Sequence, residues 1–313
     1  IPGALDRLAE NQPATLRLDV EGALSEEPVT FALNPADFWD GPPPPVQRPR
    51  FLAIVASNSL ATVLARKASG KVDGFVFESP IAGGHNAPPR GHPEFNAQGE
   101  PVYGPRDVVD FAQVRELGLP FWIAGGAGSP GALAAARAAG AAGIQVGTLF
   151  AYTEESGLDP ALKHSVLTAV LRGEASVYTD AKASPTGYPF KVVHWPGDPS
   201  AAIARTRRCD LGYLRVPYQK PGGGIGYRCA GEPEASYVQK GGRLEDTIGR
   251  RCLCNGLLAV IGHGQIRDGE VEAPLLTSGD DLLKMGGFLA GRTCYSADDV
   301  LDYLLAARPR LPV

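Results

Sequence analysis

The sequence predicts an α/β fold, specifically the C-terminal half of a (β/α)8 TIM barrel with an additional mixed α+β extension at its C-terminal end. Apolar runs alternate with helix-like runs between residues 51 and 150, and this alternation fades after Phe150. A closed barrel takes eight such units and about 250 residues. Because four units cannot close a barrel and the chain starts at Ile1 rather than Met, we expect that the N-terminal half is missing or is supplied by a partner.

The first predicted domain, residues 1–50, contains a helix, an inserted strand pair and a linker. Residues 1–10 have a helix-like pattern, whereas "ATLRLDV" and "PVTFALN" alternate apolar and polar residues with the period of a strand. The run "DGPPPPVQRPR" is a proline-rich linker, because proline lacks the backbone donor that helices and sheets need.

The second predicted domain, residues 51–195, is the half-barrel. The apolar runs "FLAIVAS", "VDGFVFES", "PFWIAGG" and "AGIQVGTLF" are typical of strands that are buried on both faces. The runs between them, "SLATVLARKA", "RDVVDFAQVREL" and "GALAAARAAG", are predicted helices, and this alternation indicates parallel βαβ units. A helix over "DPALKHSVLTAVLRG" and an extended segment over "YPFKVVHW" complete the domain.

The third predicted domain, residues 196–313, is the extension. "LGYLRVPYQKPGGGIGYRC" is predicted to form a hairpin that turns at Pro221–Gly224. Short helices are expected over "CNGLLAVIGHG", "GDDLLKMGGFL" and "SADDVLDYLLAA", and Ser296 is the expected N-cap of the last one.

Composition narrows the class of function. The chain has 313 residues, a net charge of −4 and interspersed acidic and basic residues, so no basic patch indicates a nucleic-acid partner. No apolar stretch reaches the roughly 18 residues that span a bilayer, and no secretion signal opens the sequence. We therefore expect a cytoplasmic protein that acts on a small molecule.

Glycines at the ends of two neighbouring strands indicate a phosphate site. One strand ends at Gly125–Gly126, and Ser129 and Pro130 then form a good helix start; the next strand ends at Gly147 and Thr148. Helix N-termini and bare glycine backbone bind anions, and barrels commonly bind phosphate after strands seven and eight. Glycines that merely turn corners are the alternative for each motif alone, but the pair, spaced one helix apart, favours phosphate.

The loop after the second of the four strands carries a candidate catalytic histidine. His85 follows Gly83–Gly84 in "ESPIAGGHNAPPRGHPEFNAQGEPVYGP", which is far longer than the roughly two to six residues expected there. Loops at this end of a barrel cover the active site, and a histidine accepts protons near neutral pH. A structural role is the alternative for a lone loop histidine. The other histidines are interpreted as structural or without a supported role: His92, His164, His194 and His263.

Four cysteines raise the question of a metal. Cys209 and Cys229 flank the predicted hairpin, and Cys252 and Cys254 form a C-x-C pair. Four converging thiolates suit a structural zinc ion, but this spacing is not that of common zinc modules, and free cysteines are often small buried apolar residues. We expect buried reduced thiols, with zinc or a disulfide as alternatives, and assign no metal ligand.

Together, "VDGFVFESPIAGGH", "PFWIAGGAGSPGALAAARAAGAAGIQVGT" and "FAYTEESGLDPALKHSVL" resemble the nitronate monooxygenases, formerly called 2-nitropropane dioxygenases. These are FMN-dependent barrel enzymes. The resemblance covers residues 51–195 and extends loosely to residue 1. The first four strands of the family have no counterpart here, and residues 196–313 are an extension that short members lack.

The resemblance implies a reaction and a set of site residues. The reaction is the one-electron oxidation of an alkyl nitronate by FMN, with O₂ reoxidising the flavin. His85 matches the catalytic histidine, which takes the α-proton of the substrate or orients the bound nitronate. The residues that match FMN-binding positions are Ala53, Gly83, Gly126, Gln145, Gly147 and Thr148.

Two other functions stay open at this stage. The FMN-dependent enoyl-ACP reductases have a similar Gly-Gly-His loop and phosphate site, but they take a hydride from NADPH and pass it to an acyl thioester. The second alternative is a non-catalytic half-barrel subunit or fragment, which would carry no yellow chromophore.

Overall fold

A computed structural model describes residues 1–23, 28–200 and 205–305. Its helices are α1 (Pro2–Ala9), α2 (Asn58–Lys67), α3 (Phe111–Arg115), α4 (Pro130–Ala138), α5 (Thr148–Ala151), α6 (Pro160–Arg172), α7 (Glu234–Gln239), α8 (Leu253–Val260), α9 (Gly286–Leu289) and α10 (Ala297–Leu305). Its strands are β1 (Ala14–Leu18), β2 (Val29–Leu33), β3 (Leu52–Val55), β4 (Gly74–Glu78), β5 (Phe121–Ala124), β6 (Gly143–Gln145), β7 (Ser176–Asp180), β8 (Phe190–His194), β9 (Val216–Gln219), β10 (Ile225–Arg228), β11 (Ile266–Arg267) and β12 (Glu270–Val271).

The central sheet has the strand order β3-β4-β5-β6. The pairs β3–β4 and β5–β6 are parallel, with Ala53 opposite Phe75 and Ile123 opposite Ile144. The predicted α/β fold with a parallel sheet is therefore confirmed. Within the described residues this sheet does not close into a barrel. The assignment to the C-terminal half of a barrel stays a prediction.

The chain divides into two compact units, and the first comprises residues 1–77, 109–121 and 215–228. Its aromatic core contains Phe77, Phe111 and Phe121; the last two rings are stacked with centroids 5.6 Å apart. The guanidinium of Arg48 forms ion pairs with both Asp6 and Asp73. The antiparallel pair β1–β2 and the hairpin β9–β10 belong to this unit, as the period-two patterns predict.

The second unit comprises residues 78–108, 122–214 and 229–313. Its largest apolar cluster brings together fully buried residues from α6, β8 and the C-terminal segment, among them Val166, Leu167, Val193, Leu282 and Leu289. Strands β7 and β8 form an antiparallel pair. The candidate site lies within this unit. The predicted domains are continuous segments that end at residues 50 and 195, whereas each unit combines several segments. The predicted boundaries stay predictions.

Some element predictions need correction. The apolar run "AGIQVGTLF" is not one strand, because β6 ends at Gln145 and helix α5 begins at Thr148. The helix predicted over "RDVVDFAQVREL" is confined to α3, which Asp110 caps by accepting from the backbone of Ala112. Strand β7 was not predicted, since its pairing with β8 is a tertiary contact. The Ser296 cap is confirmed by the bond from Asp299 N–H to Ser296 Oγ, while residues 306 and 307 of that predicted helix lie outside the described residues.

The five cysteines are free thiols in the structure. None of the five cysteines forms a disulfide, and burial raises the pKa of Cys229 to about 11, which keeps it a protonated thiol at neutral pH. Among the described residues, no group of three or more His, Cys, Asp or Glu side chains is arranged to hold a metal ion. No described helix has both the length and the apolar character needed to cross a membrane.

Candidate functional site

A cleft of about 340 Å³ lies where strands β4, β5 and β6 end. Parallel strands present their carboxyl ends at one edge of a sheet, so the loops that leave these strands meet there. We call it the glycine cleft. Its lining includes Glu78, Ile81, Gly83, Gly84, Gly125, Gly126, Gln145, Gly147, Thr148, Thr277, Gly279 and Asp281.

The turn after β5 requires glycine at two successive positions. Gly125 and Gly126 have φ values of +79° and +72°, a conformation that other residues rarely adopt. A Cβ on Gly125 would lie 2.5 Å from Ser79 Oγ, and a Cβ on Gly126 would collide with the end of the Ile81 side chain. The sequence Gly-Gly is therefore needed here both for the backbone conformation and for the close approach of the β4 loop.

The cleft offers backbone donors to an anion. Helix α4 starts after Ser129, so its N-terminal dipole faces the turn that contains Gly126. The N–H groups of Gly126 and Gly147 donate to no acceptor among the described residues. A Cβ on Gly147 would meet no atom within 4 Å, so the backbone is open to the cleft there. This neutral donor set fits a phosphate ester.

Two carboxylates at the cleft, in contrast, would repel a bound anion. Asp281 Oδ2 accepts a hydrogen bond of 2.9 Å from the N–H of Gly128, two residues before α4, and so already places an anion at the helix start. Burial raises the pKa of Glu78, the last residue of β4. No lysine or arginine lines the cleft in the described part of the chain. A bound phosphate would therefore depend on backbone N–H groups rather than on countercharges.

His85 follows Gly84 directly but is not one of the residues that line the cleft. Its Nε2 lies 2.7 Å from Ser184 Oγ, and its ring meets the Phe190 ring edge-on with centroids 4.9 Å apart. Desolvation lowers the pKa of His85. The imidazole is therefore neutral at pH 7, and Nδ1 makes no hydrogen bond to the described residues.

Ser184 is a site residue that the sequence did not single out. It is fully buried, at 0% exposure, and its Oγ lies 2.7 Å from Thr186 Oγ1 and 3.2 Å from Thr186 N. Its carbonyl accepts a 2.6 Å hydrogen bond from Arg250 Nη1. These hydrogen bonds hold Ser184 in place, and Ser184 in turn orients the His85 ring. The only sequence signal is the turn-forming "SPTG" at residues 184–187.

The structure brings most of the predicted cofactor residues together. Gly83, Gly126, Gln145, Gly147 and Thr148 line the same cleft. Gly279 N–H donates to Thr148 Oγ1 at 3.0 Å, so that hydroxyl also fixes the 277–281 segment. In contrast, Ala53 lies on β3 in the first unit and is buried. Among the other histidines, His194 Nδ1 is 2.9 Å from Asp198 Oδ2, as suits its structural interpretation.

Residues 29–179 match the family model described as nitronate monooxygenase. The match confirms the resemblance to this family on which the sequence interpretation rests. No curated protein sequence matches the chain.

Three solved structures illustrate the matches that the chain makes. FabK from Thermotoga maritima is 20% identical with a TM-score of 0.45, covering 82% of this chain and 60% of its own. A nitroalkane oxidase from Streptomyces ansochromogenes is 29% identical with a TM-score of 0.32, covering 46% and 38%. The enoyl reductase domain of MlnA from Bacillus amyloliquefaciens is 12% identical with a TM-score of 0.44, covering 83% and 68%. The chain thus spans about 60% of the length of FabK.

Proposed function

On the premise that residues 29–179 match the nitronate monooxygenase family, we propose that this chain takes part in the FMN-dependent oxidation of alkyl nitronates by O₂. The observation that supports it most is the glycine cleft, which combines a left-handed Gly125–Gly126 turn, a helix start and backbone donors of the kind that bind phosphate.

The proposed cofactor is FMN, with its phosphate held at the glycine cleft. Gly126 and Gly147 would donate their N–H groups to the phosphate, and Gln145 and Thr148 would flank it. When bound, the flavin supplies the electron acceptor that the substrate needs and that O₂ regenerates. The roles of Ala53 and Gly83 beside the flavin follow from the family resemblance alone.

His85 is the proposed proton acceptor for a neutral nitroalkane. Its Nε2 faces Ser184 Oγ, so Nδ1 is the nitrogen that accepts the α-proton of the substrate. This needs the tautomer in which Nε2–H donates to Ser184, while the Ser184 hydroxyl donates to Thr186 Oγ1. Ser184 is therefore proposed as a positioning residue that sets the tautomer of His85.

Glu78 is the other group at the cleft with suitable chemistry. It lines the cleft, which His85 does not, and burial raises its pKa toward the range of a neutral-pH base. Comparing Glu78→Gln with His85→Asn on a neutral nitroalkane separates the two, because the variant that lacks the base loses most of its rate while the other keeps it.

The proposed function is tested by anaerobic mixing of the purified flavoprotein with one reductant at a time. Rapid bleaching of the flavin by propionate 3-nitronate, with slow bleaching by NADPH, is the expected result. The reverse pattern would assign the chain to an enoyl-ACP reductase type of reaction. A protein that binds no flavin, even when FMN is added, would leave only the non-catalytic alternative.

A further inference from the structure

The tripeptide Arg-Arg-Cys occurs twice, at residues 207–209 and 250–252, and the fold brings both copies to one cavity. This cavity has a volume of about 690 Å³ and shares no lining residue with the glycine cleft. We call it the arginine cavity. Six arginines line it: Arg205, Arg207, Arg208, Arg250, Arg251 and Arg267.

Three of these arginines form close ion pairs with carboxylates. Arg205 makes a two-pronged contact with Glu272, in which Nη2 lies 2.7 Å from Oε2. Arg208 pairs with Asp268 at 3.1 Å, and Arg267 pairs with Asp210. The positive charge of this half of the cavity is therefore balanced within the protein.

The other three arginines are held mainly by backbone carbonyls, and two of them form no ion pair within the described residues. Arg250 donates to the carbonyls of Lys182 and Ser184, at 2.9 and 2.6 Å, and Arg251 donates to the carbonyl of Ser200 at 2.9 Å. Neither forms an ion pair within the described residues. Arg207 also donates to a carbonyl, Thr247 O at 2.7 Å, and it forms an ion pair with Glu234 at 3.4 Å.

Carbonyls fix the direction of a guanidinium but leave its charge in place. Arg250 and Arg251 are partly buried. Desolvation lowers the pKa of Arg251, and this effect outweighs the carboxylates of Asp198 and Asp180, which act in the opposite direction. A partly buried charge that lacks a direct ion pair is costly, and an anion that enters the cavity reduces that cost. Clustered, pre-oriented guanidinium groups suit phosphate in particular, because they bind its oxygens in pairs.

We propose that the arginine cavity binds a small phosphorylated ligand, with Arg250 and Arg251 as its main contacts and Arg207 in support. A volume of about 690 Å³ is in the range of small-molecule sites and accommodates a nucleotide. Because a nucleotide and an inorganic oligophosphate share this chemistry, both are included in the test.

The test is calorimetric titration of the flavin-loaded protein with pyrophosphate, with ADP and with citrate at constant ionic strength. We expect saturable binding of at least one phosphate compound, which weakens by about tenfold or more in Arg251→Gln. ADP binding more tightly than pyrophosphate would identify a nucleotide site, and equal affinities would identify an oligophosphate site. Arg172→Gln, an exposed arginine at the end of α6, is the matched control and should bind like the wild type.

Three results would overturn the proposal: absence of saturable binding of either phosphate compound, equal affinity in Arg251→Gln, or equally tight binding of citrate. A folding defect is separated by thermal unfolding without ligand. Since Arg251 forms no direct ion pair within the described residues, the unfolding temperature of Arg251→Gln should not fall by much. Arg251→Lys, which keeps the charge but not the paired donors, should bind with intermediate affinity.

Discussion

The glycine cleft and the arginine cavity both offer hydrogen-bond donors to an anion, but they do so by opposite means. In the cleft the donors are neutral N–H groups at Gly126 and Gly147, and the charged groups in its lining are acidic. In the cavity the donors are guanidinium groups, two of which, Arg250 and Arg251, form no ion pair within the described residues. The cleft therefore depends on backbone shape, so one added side chain disables it, whereas the cavity depends on charge, so charge-removing substitutions weaken it.

The largest effect is expected from Gly126→Glu. The new side chain brings a carboxylate to the proposed phosphate position and also forces a residue other than glycine into a backbone with φ of +72°. Flavin content of the purified variant, measured by absorbance after denaturation, should fall to background.

Gly157→Glu is the control for Gly126→Glu. Gly157 is exposed, and a Cβ there meets no atom within 4 Å, so this variant should keep its flavin. Full flavin retention in Gly126→Glu would show that the phosphate does not bind at the glycine cleft. The cleft could then no longer be compared with the arginine cavity as an anion site.

The next largest effect is expected from His85→Asn. Loss of a positioned acid–base group lowers turnover by about 10²–10⁴-fold, while flavin binding should be unchanged because His85 does not line the cleft. A substrate supplied as the nitronate anion should lose less rate than the neutral nitroalkane, since its α-proton is already gone. His92→Asn, at an exposed loop histidine, is the control. Equal rates of His85→Asn and wild type on both substrates would exclude His85 from the reaction.

Ser184→Ala should have a smaller effect with a distinctive pH signature. In the wild type, desolvation lowers the pKa of His85 below its ordinary 6.5, so the base is neutral at pH 7 and the rate falls only as pH drops through that lowered pKa. Removing Ser184 takes away the acceptor for Nε2–H in both protonation states. Because this hydrogen bond is stronger when the ring is charged, its loss disfavours the protonated form and lowers the pKa further.

The measurement for Ser184→Ala is the pH profile of kcat/KM on a neutral nitroalkane. The acid limb should move to lower pH and the plateau should fall by about tenfold, because the productive tautomer is no longer selected. Ser184→Thr, which keeps the hydroxyl, should restore the position of the limb. A lower plateau with an unmoved limb in Ser184→Ala would indicate a purely structural role.

The smallest effect is expected from Asp281→Asn. Asp281 accepts from Gly128 N–H at the start of α4, so its charge opposes a phosphate there, while an asparagine oxygen keeps the hydrogen bond. FMN affinity, measured by fluorescence quenching, should rise by a few-fold. Weaker FMN binding would show that the carboxylate supports the cleft more than it repels the ligand.

More of the glycine cleft than of the arginine cavity could be predicted from the sequence. The Gly125–Gly126 turn and the place of Gly147 in the cleft were predictable because glycine, strand and helix signals lie within a few residues of one another, although β6 ends at Gln145 rather than at Gly147. Ser184 and Asp281 were not, since each reaches its partner, His85 or Gly128, across 99 and 153 residues of chain. The arginine cavity could not be predicted either. The two Arg-Arg-Cys tripeptides are visible in the sequence, but only the tertiary structure brings them to one cavity.

The central claim, that the glycine cleft holds the phosphate of a flavin, is tested most directly by comparing FMN with riboflavin. The two ligands differ only in the phosphate, so their affinities for the protein freed of flavin report what the cleft contributes. Hydrogen bonds to a charged group contribute about 1.5–3 kcal/mol each, so two backbone donors predict binding of FMN that is tighter by about 100-fold or more. Equal affinities for FMN and riboflavin would contradict the claim.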